Sequence, residues 1–257
     1  MKTTDVPANL REFIKVFNRV AGYRWDSYTV FSDLVQYCIE CFNLNKNEEW
    51  LTKLRETYGK EYEVFPLMFR EMALTMERQL PDDTSWFDVL GTIYEVVASS
   101  SKKSSFGQFF TPASVCDMVA QMNLPNEVKG KRINDPACGS GRTLLAAHAL
   151  RPGNYCFGED LDPLCARMAV VNFILHGVRG QVCHMNTLSG EVFRVWQTDT
   201  LCCFEVPKEQ SFTWQMLEGM RTRAAQQAQV AEKPTPEPSP VFTPKPPAAP
   251  GVQLSIF

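Results

Sequence analysis

The chain has 257 residues, 44% of them hydrophobic, and a formal net charge of -3. This length and composition suit one or two globular domains with a sizeable core. The slightly acidic balance excludes a general electrostatic attraction to nucleic acid, so any DNA contact must be local or shared with a partner.

The nine cysteines are an odd number in a chain too large to need disulfides. Neither Cys38 with Cys41 nor Cys202 and Cys203 with His184 forms the repeated CxxC pattern of a structural zinc site, so we expect no metal. The sequence shows no apolar leader and no apolar run of membrane-spanning length. These features predict a soluble cytoplasmic protein with reduced thiols.

Residues 1–100 are predicted to form a helical N-terminal region of about five helices. Apolar residues recur there at intervals of three and four, as at Val30, Phe31, Leu34, Val35 and Cys38. This spacing places one apolar stripe on each helix. A small polar linker, SSSKKSS at 99–105, then leads into GQFFTP and a further helix.

Residues 101–225 are predicted to form the core of the protein. Short strands at RIND, YCFGED and QVCHMN alternate with helices at RTLLAAHAL and PLCARMAVVNFILHG. This alternation indicates an α/β fold with a Rossmann-like parallel sheet wound by crossover helices. LCCFEV predicts one more strand, and SFTWQMLEGMRTRAAQQAQ predicts a final helix.

The stretch NDPACGSG, residues 134–141, lies between the first strand and its helix. Glycines at such a turn allow close approach to a ligand and expose amide donors at the helix N-terminus. Asp135 suits a cationic ligand such as S-adenosylmethionine, which carries a sulfonium and an ammonium group. A dinucleotide fingerprint requires a glycine at position 144, where Leu144 stands.

The second predicted strand ends at Gly158-Glu159-Asp160, where nucleotide-binding folds place a carboxylate that accepts from ribose hydroxyls. We favour Asp160 for this role. The alternative is that Glu159 and Asp160 cap the helix that follows.

Three ordered motifs, GQFFTP, DPACGSG and the run from Gly158 to Gly177 that contains DP and NFILHG, resemble the N-6 DNA methylase family. This is the family of the modification subunits of type I restriction systems. The resemblance implies S-adenosylmethionine as cofactor and methyl transfer to the N6 of adenine in DNA. It implies a cofactor site made of Gln108, Phe109, Phe110, Thr111, Asp135, Ala137, Gly139, Ser140, Gly141, Asp160 and Asn186.

The family holds its flipped base with a polar residue, two prolines and an aromatic residue after the fourth strand. Here Pro246-Pro247 is the one Pro-Pro pair, and it lies in the tail. The catalytic residues are therefore not assigned. Two hypotheses stay open. In the first, the protein is a methyltransferase whose base pocket is unconventional or completed by another subunit. In the second, it is an inactive pseudo-methylase that binds cofactor, or only DNA or protein.

Residues 226–257 are predicted to be a disordered proline-rich tail, because they hold too few bulky apolar residues to bury a core. The tail ends in QLSIF, which resembles the bacterial sliding-clamp binding peptide. The resemblance implies clamp contacts through Gln253, Leu254, Ile256 and Phe257. The alternative is a chance apolar terminus.

Overall fold

A computed structural model describes residue 3 and residues 6–22, 24–82, 84–100, 110–126 and 129–231. The chain divides into two compact units, Met1–Leu217 and Glu218–Phe257. The linker with Gln108 and Phe109 and the tail with QLSIF lie outside the described residues.

Five α-helices precede residue 101 in the described part of the chain, as the sequence predicts. They are α1 (Arg11–Phe17), α2 (Ser27–Phe42), α3 (Glu48–Tyr58), α4 (Val64–Gln79) and α5 (Val89–Ser100). Helix α2 shows why they form. Asp26 caps its N-terminus by accepting a hydrogen bond from the Thr29 amide at 3.2 Å, and its apolar stripe is fully buried.

The remainder of the described chain alternates between strands and helices. Its elements are α6 (Ala113–Asn123), β1 (Arg132–Asp135), α7 (Arg142–Leu150), β2 (Tyr155–Asp160), α8 (Pro163–Leu175), β3 (Gly180–Asn186), β4 (Glu191–Asp199), β5 (Cys202–Glu205) and α9 (Phe212–Ala231). None of the helices in these ranges is long and apolar enough to cross a membrane.

The sheet has the strand order β1-β2-β3-β4-β5. Strands β1, β2 and β3 are parallel, as predicted, and this confirms the α/β class. The prediction is incomplete after β3, because β4 and β5 are antiparallel and make the sheet mixed. The strand predicted at LCCFEV is confirmed as β5, whereas β4 was not predicted.

Helix α8 is the centre of the packing. From Leu164 to Ile174 every residue except Arg167 is buried, since α8 lies between the sheet and helices α2 and α5. A helix that is apolar on all sides requires such surroundings. The N-terminal helices and the sheet therefore share one continuous hydrophobic core.

The opposite face of the sheet is covered by the first residues of α9. The Phe212 ring lies 4.9 Å from the ring of Phe157 and 4.1 Å from the guanidinium of Arg132. The Phe212 amide donates to the side chain of Gln181 at 3.0 Å. Within the second unit, Arg221 and Glu218 form an ion pair at 2.6 Å.

Asp88, just before α5, joins the N-terminal helices to the loop after β1. Its Oδ2 accepts from the Ser140 hydroxyl at 2.5 Å and from Arg142 Nε at 2.6 Å. Its Oδ1 accepts from the Asn172 side chain and from the Gly91 amide, each at 2.7 Å. A Cβ at Gly91 would lie 1.9 Å from Asp88 Oδ2, so a glycine leaves the necessary room.

We predict that Asp88→Ala lowers the free energy of unfolding by about 3–5 kcal/mol, because it leaves Arg142 without its buried counter-charge. The measurement is urea unfolding followed by circular dichroism. Glu12→Ala is the control, since Glu12 forms an exposed pair with Lys15, and it should cost at most about 1 kcal/mol. Equal losses in the two variants would contradict the assignment.

Candidate functional site

The loop between β1 and α7 turns on two glycines with positive φ. Gly139 has φ +56° and Gly141, the N-cap of α7, has φ +93°. Both angles are strained for residues with a side chain. A Cβ at Gly139 would also approach the ring of Phe110 to 3.0 Å. Glycine is therefore required at positions 139 and 141 by the path of the backbone.

The same loop is tied to the end of β2 by two hydrogen bonds. The Cys138 amide donates to the Glu159 carbonyl at 2.9 Å, and the Gly139 amide donates to Asp160 Oδ2 at 2.8 Å. The carboxylate of Asp160 is thereby placed directly beside the glycine loop. Burial raises the pKa of Asp160, opposed by hydrogen bonds from the Asp162 and Gly139 amides.

Asp162, and not Asp160, is the N-cap of α8. Its Oδ1 accepts from the amides of Leu164 and Cys165 at 2.7 and 3.0 Å. Asp160 Oδ1 accepts from the Asp162 amide at 2.8 Å, which fixes its orientation at the strand end. The helix-capping alternative for Asp160 is therefore wrong, and its partly exposed carboxylate keeps lone pairs for a ligand.

Asp135 is the last residue of β1, so it lies at the same carboxyl-terminal end of the sheet as Asp160. One carboxylate oxygen accepts from the Ala137 amide at 3.1 Å, and the other accepts from the Thr143 hydroxyl. Asp135 is partly exposed and Ala137 is exposed, so the carboxylate is held in place and accessible.

Of the four cofactor contacts predicted in GQFFTP, Phe110 and Thr111 are among the described residues. The Phe110 ring packs on Gly139, with its centroid 5.5 Å from that of Tyr94. The Thr111 carbonyl accepts from Arg142 at 3.4 Å. This end of GQFFTP therefore lies against the glycine loop.

Two predicted cofactor residues are engaged elsewhere. Ser140 is fully buried and its hydroxyl donates to Asp88, so its side chain serves the interior. Asn186, at the end of β3, accepts from the Leu188 and Ser189 amides at 3.0 and 3.2 Å. Its oxygen is used in the turn into β4, which leaves its amino group for a ligand.

The sequence analysis did not identify the roles of Asp88 and Asn172. Both are buried, and the Asn172 side chain also donates to the Ser140 carbonyl at 2.9 Å. One signal for Asn172 was present in the sequence, since it is the single polar residue in the apolar run AVVNFIL. Such a residue is buried with its neighbours and therefore requires hydrogen-bond partners. His176 has a structural role: its Nε2 accepts from the Phe87 amide at 3.2 Å, and burial lowers its pKa.

Glu159 points to the opposite face of the sheet, beneath the start of α9. It is 3% exposed, and its Oε1 accepts from the Thr213 hydroxyl at 3.3 Å. Among the described residues, Oε2 has no hydrogen-bond partner. Burial raises the pKa of Glu159 from 4.5 to about 7, opposed by Thr213 and Asn134.

The site thus combines a glycine loop, a helix N-terminus and two partly exposed carboxylates at the carboxyl ends of parallel strands. Leu161 and Leu188, 59% and 99% exposed, follow β2 and β3 and offer apolar surface there. These groups fit S-adenosylmethionine, which presents a cationic methionine part, ribose hydroxyls and an apolar adenine ring. The fold and site define a Rossmann-like protein of the S-adenosylmethionine-dependent methyltransferase class.

Comparison with known sequences identifies the family. Residues 86–213 match the N-6 DNA methylase family. The MjaVII type I restriction enzyme methylase subunit of Methanocaldococcus jannaschii is 29% identical over 186 residues, 65% of this chain and 31% of that protein. The MjaVIII methylase subunit of the same organism is 32% identical over 97 residues, 36% of this chain and 16% of that protein.

The chain therefore belongs to the N-6 DNA methylase family, and its cofactor is S-adenosylmethionine. It spans about a third or less of the length of these relatives. A Listeria monocytogenes structure, provisionally described as a class I S-adenosylmethionine-dependent methyltransferase, aligns with 67% of this chain and 51% of that chain. Its TM-score of 0.37 and identity of 16% are too low to support the assignment.

We predict that Glu159→Gln makes stability less dependent on pH. The folded state holds the Glu159 proton more tightly than the unfolded chain, so its stabilising contribution is complete below pH 4.5 and is lost as the pH rises to about 7. The variant should gain up to roughly 3 kcal/mol over the wild type between pH 5 and pH 8. Thermal unfolding at several pH values tests this, with Glu209→Gln as an exposed control.

Proposed function

We propose that this protein is the cofactor-binding part of a DNA methyltransferase that acts on the N6 of adenine in the cytoplasm. The observation that carries the proposal is the hydrogen bond from the Gly139 amide to Asp160. This bond brings the glycine loop of β1 and the acidic end of β2 into one site. The family match supports the reaction class.

Each side chain of the site has a distinct role in this proposal. Asp135, oriented by Thr143, binds the ammonium end of the cofactor, and Asp160 accepts from the ribose hydroxyls. Phe110 shields the glycine loop from water on one side. Bound S-adenosylmethionine supplies an electrophilic methyl group, so the protein contributes positioning and desolvation without a covalent enzyme intermediate.

The target base requires hydrogen-bond acceptors for its amino group and an aromatic ring for stacking. In other members of the family these groups follow the fourth strand. Here the chain after β3 turns back into β4 and β5, away from β1, and residues 187–231 contain no Pro-Pro pair. We therefore propose that another polypeptide contributes the base-binding groups and the recognition of DNA sequence.

An inactive pseudo-methylase is the second candidate, favoured by the same missing motif. Transfer of a radiolabelled methyl group to DNA distinguishes the two. Incorporation that depends on both this chain and a co-purified partner supports the methyltransferase. Cofactor binding without incorporation in the complete complex supports the pseudo-methylase.

We predict saturable binding of S-adenosylmethionine by isothermal titration calorimetry. Asp135→Ala should weaken binding roughly tenfold to a hundredfold, because it removes a charge-assisted hydrogen bond worth about 1.5–3 kcal/mol. Asp199→Ala is the control, because Asp199 also carries a partly exposed carboxylate. It is the last residue of β4 and pairs with the start of β5, at the other side of the sheet from β1. The absence of heat at millimolar cofactor in a folded wild type would sink the proposed site.

The tail supports a second, independent proposal: residues 253–257 bind the bacterial sliding clamp, and the proline-rich segment before them is a tether. A glutamine and spaced apolar side chains suit a small apolar pocket, and a tether raises the local concentration of the core near DNA. These residues lie outside the described structure.

We predict that a fluorescent peptide of residues 245–257 binds purified bacterial sliding clamp with micromolar affinity in an anisotropy titration. Replacing Leu254 and Phe257 by Ala should abolish the change in anisotropy, because the apolar anchors are lost. Replacing Lys245 by Ala, outside the motif, should leave it intact. Equal binding by all three peptides would show that Leu254 and Phe257 do not anchor the peptide, and would overturn the proposal.

A further inference from the structure

Strand β1 leaves one edge of the sheet open in the described part of the chain. It pairs with β2 on one side, and the strand order places nothing on the other. Arg132 and Asn134 of this strand are exposed. Parallel strands are normally covered, and an open edge is a ready template for pairing with another strand.

The direction of the free backbone groups follows from the pairing with β2. The Tyr155 amide donates to the Lys131 carbonyl at 2.8 Å, so the backbone polar groups of Lys131 and Ile133 belong to the β2 side. Because successive residues of a strand alternate, the amide and carbonyl groups of Arg132 and Asn134 point to the open edge. Four hydrogen-bonding groups are available there.

Helix α6 carries an uncovered apolar stripe close to this edge. The stripe consists of Val115, Met118, Val119 and Met122, which are 37%, 51%, 38% and 77% exposed. Their spacing places them on one side of the helix, roughly 130° away from the side of Cys116 and Ala120. Such a contiguous apolar surface typically marks an interaction site.

The stripe and the strand edge are parts of one region. Cys116 and Ala120, on the covered side of α6, pack against Ala146 and Ala147 of α7. Ile133 of β1 packs against the same cluster. Helix α6 therefore packs on α7 and lies close to β1, the open strand of the sheet.

We propose that a second copy of this chain covers both surfaces, with the two β1 strands antiparallel about a two-fold axis. A register centred on Ile133 sets Arg132 opposite Asn134 of the second copy, so that all four outward backbone groups are paired. It also sets Lys131 opposite Asp135 of the second copy. The basic start of each strand thus faces the acidic end of the other.

The two neighbouring antiparallel registers are less favourable than the one centred on Ile133. A register centred on Arg132 places two like charges directly opposite each other. A register centred on Asn134 sets Arg132 opposite Pro136, which has no amide hydrogen to donate. Charge and hydrogen-bond pairing therefore select one arrangement.

The same symmetry brings the two stripes to one side of the combined sheet. A two-fold axis perpendicular to the sheet keeps both α6 helices on the same face and makes the contact isologous. Apolar surface is self-complementary, and methionine side chains adapt readily to a facing surface. The dimer then joins two sheets edge to edge and buries the exposed methionines.

Sedimentation velocity of the full chain, with no cofactor or DNA added, tests this interface independently of the proposed function. We expect a concentration-dependent species with twice the 29.1 kDa mass of one chain. Met118→Glu combined with Met122→Glu should weaken the dimer at least tenfold, because it buries charge at the stripe. Lys131→Glu should also weaken it, since it faces Asp135 with a like charge.

Two controls keep the test specific. Met220→Glu changes a methionine that is 55% exposed on α9, and Lys129→Glu changes a lysine outside β1; both should leave the dimer intact. Circular dichroism melting confirms that each variant is folded. A wild type that is monomeric at about 100 μM, where a micromolar interface would be populated, overturns the proposal. So does a dimer that neither interface variant weakens.

Discussion

The buried carboxylate of Asp88 is the constraint on which the cofactor loop depends. It is 3% exposed, and it accepts four hydrogen bonds from residues that belong to α5, the glycine loop, α7 and α8. A buried charge with fewer partners is strongly destabilising, so these elements are fixed relative to one another. Arg142, held by Asp88 and Glu95, lies in turn beneath Phe110 and Thr111. The N-terminal helices are thus part of the support of the site.

The order of the strands determines which groups surround the cofactor site. Its parallel half ends in the acidic residues of β1 and β2, which suit a cofactor with cationic and hydroxyl groups. Its antiparallel half extends from β3, on the side away from β1. The edge next to Asp135 consequently carries no further strand within the described residues. The carboxylates of Asp135 and Asp160 therefore lie at the carboxyl ends of the first two strands, beside the edge that the proposed second copy would cover.

The sequence predicted most of the parallel core because three local signals agree there. These signals are the apolar periodicity, the glycine turn at CGSG and the regular alternation of strands with helices. Strand β4 was not predicted because EVFRVWQTD alternates poorly and a bulge at His184 and Met185 shifts its register. The roles of Asp88, Ser140 and Asn172 were also missed. Their partners are 32 to 84 residues away, and spacing along the chain gives no information about such contacts.

The single core shared by the N-terminal helices and α8 has a consequence for the order of synthesis. The apolar sides of α2 and α5 are completed by residues of α8, which are made about 75 residues after α5 ends. At typical rates of translation this interval lasts roughly 4–15 s. During that time the nascent helices present uncovered aromatic and aliphatic surface. Until α8 is made, the five N-terminal helices have only one another to pack against.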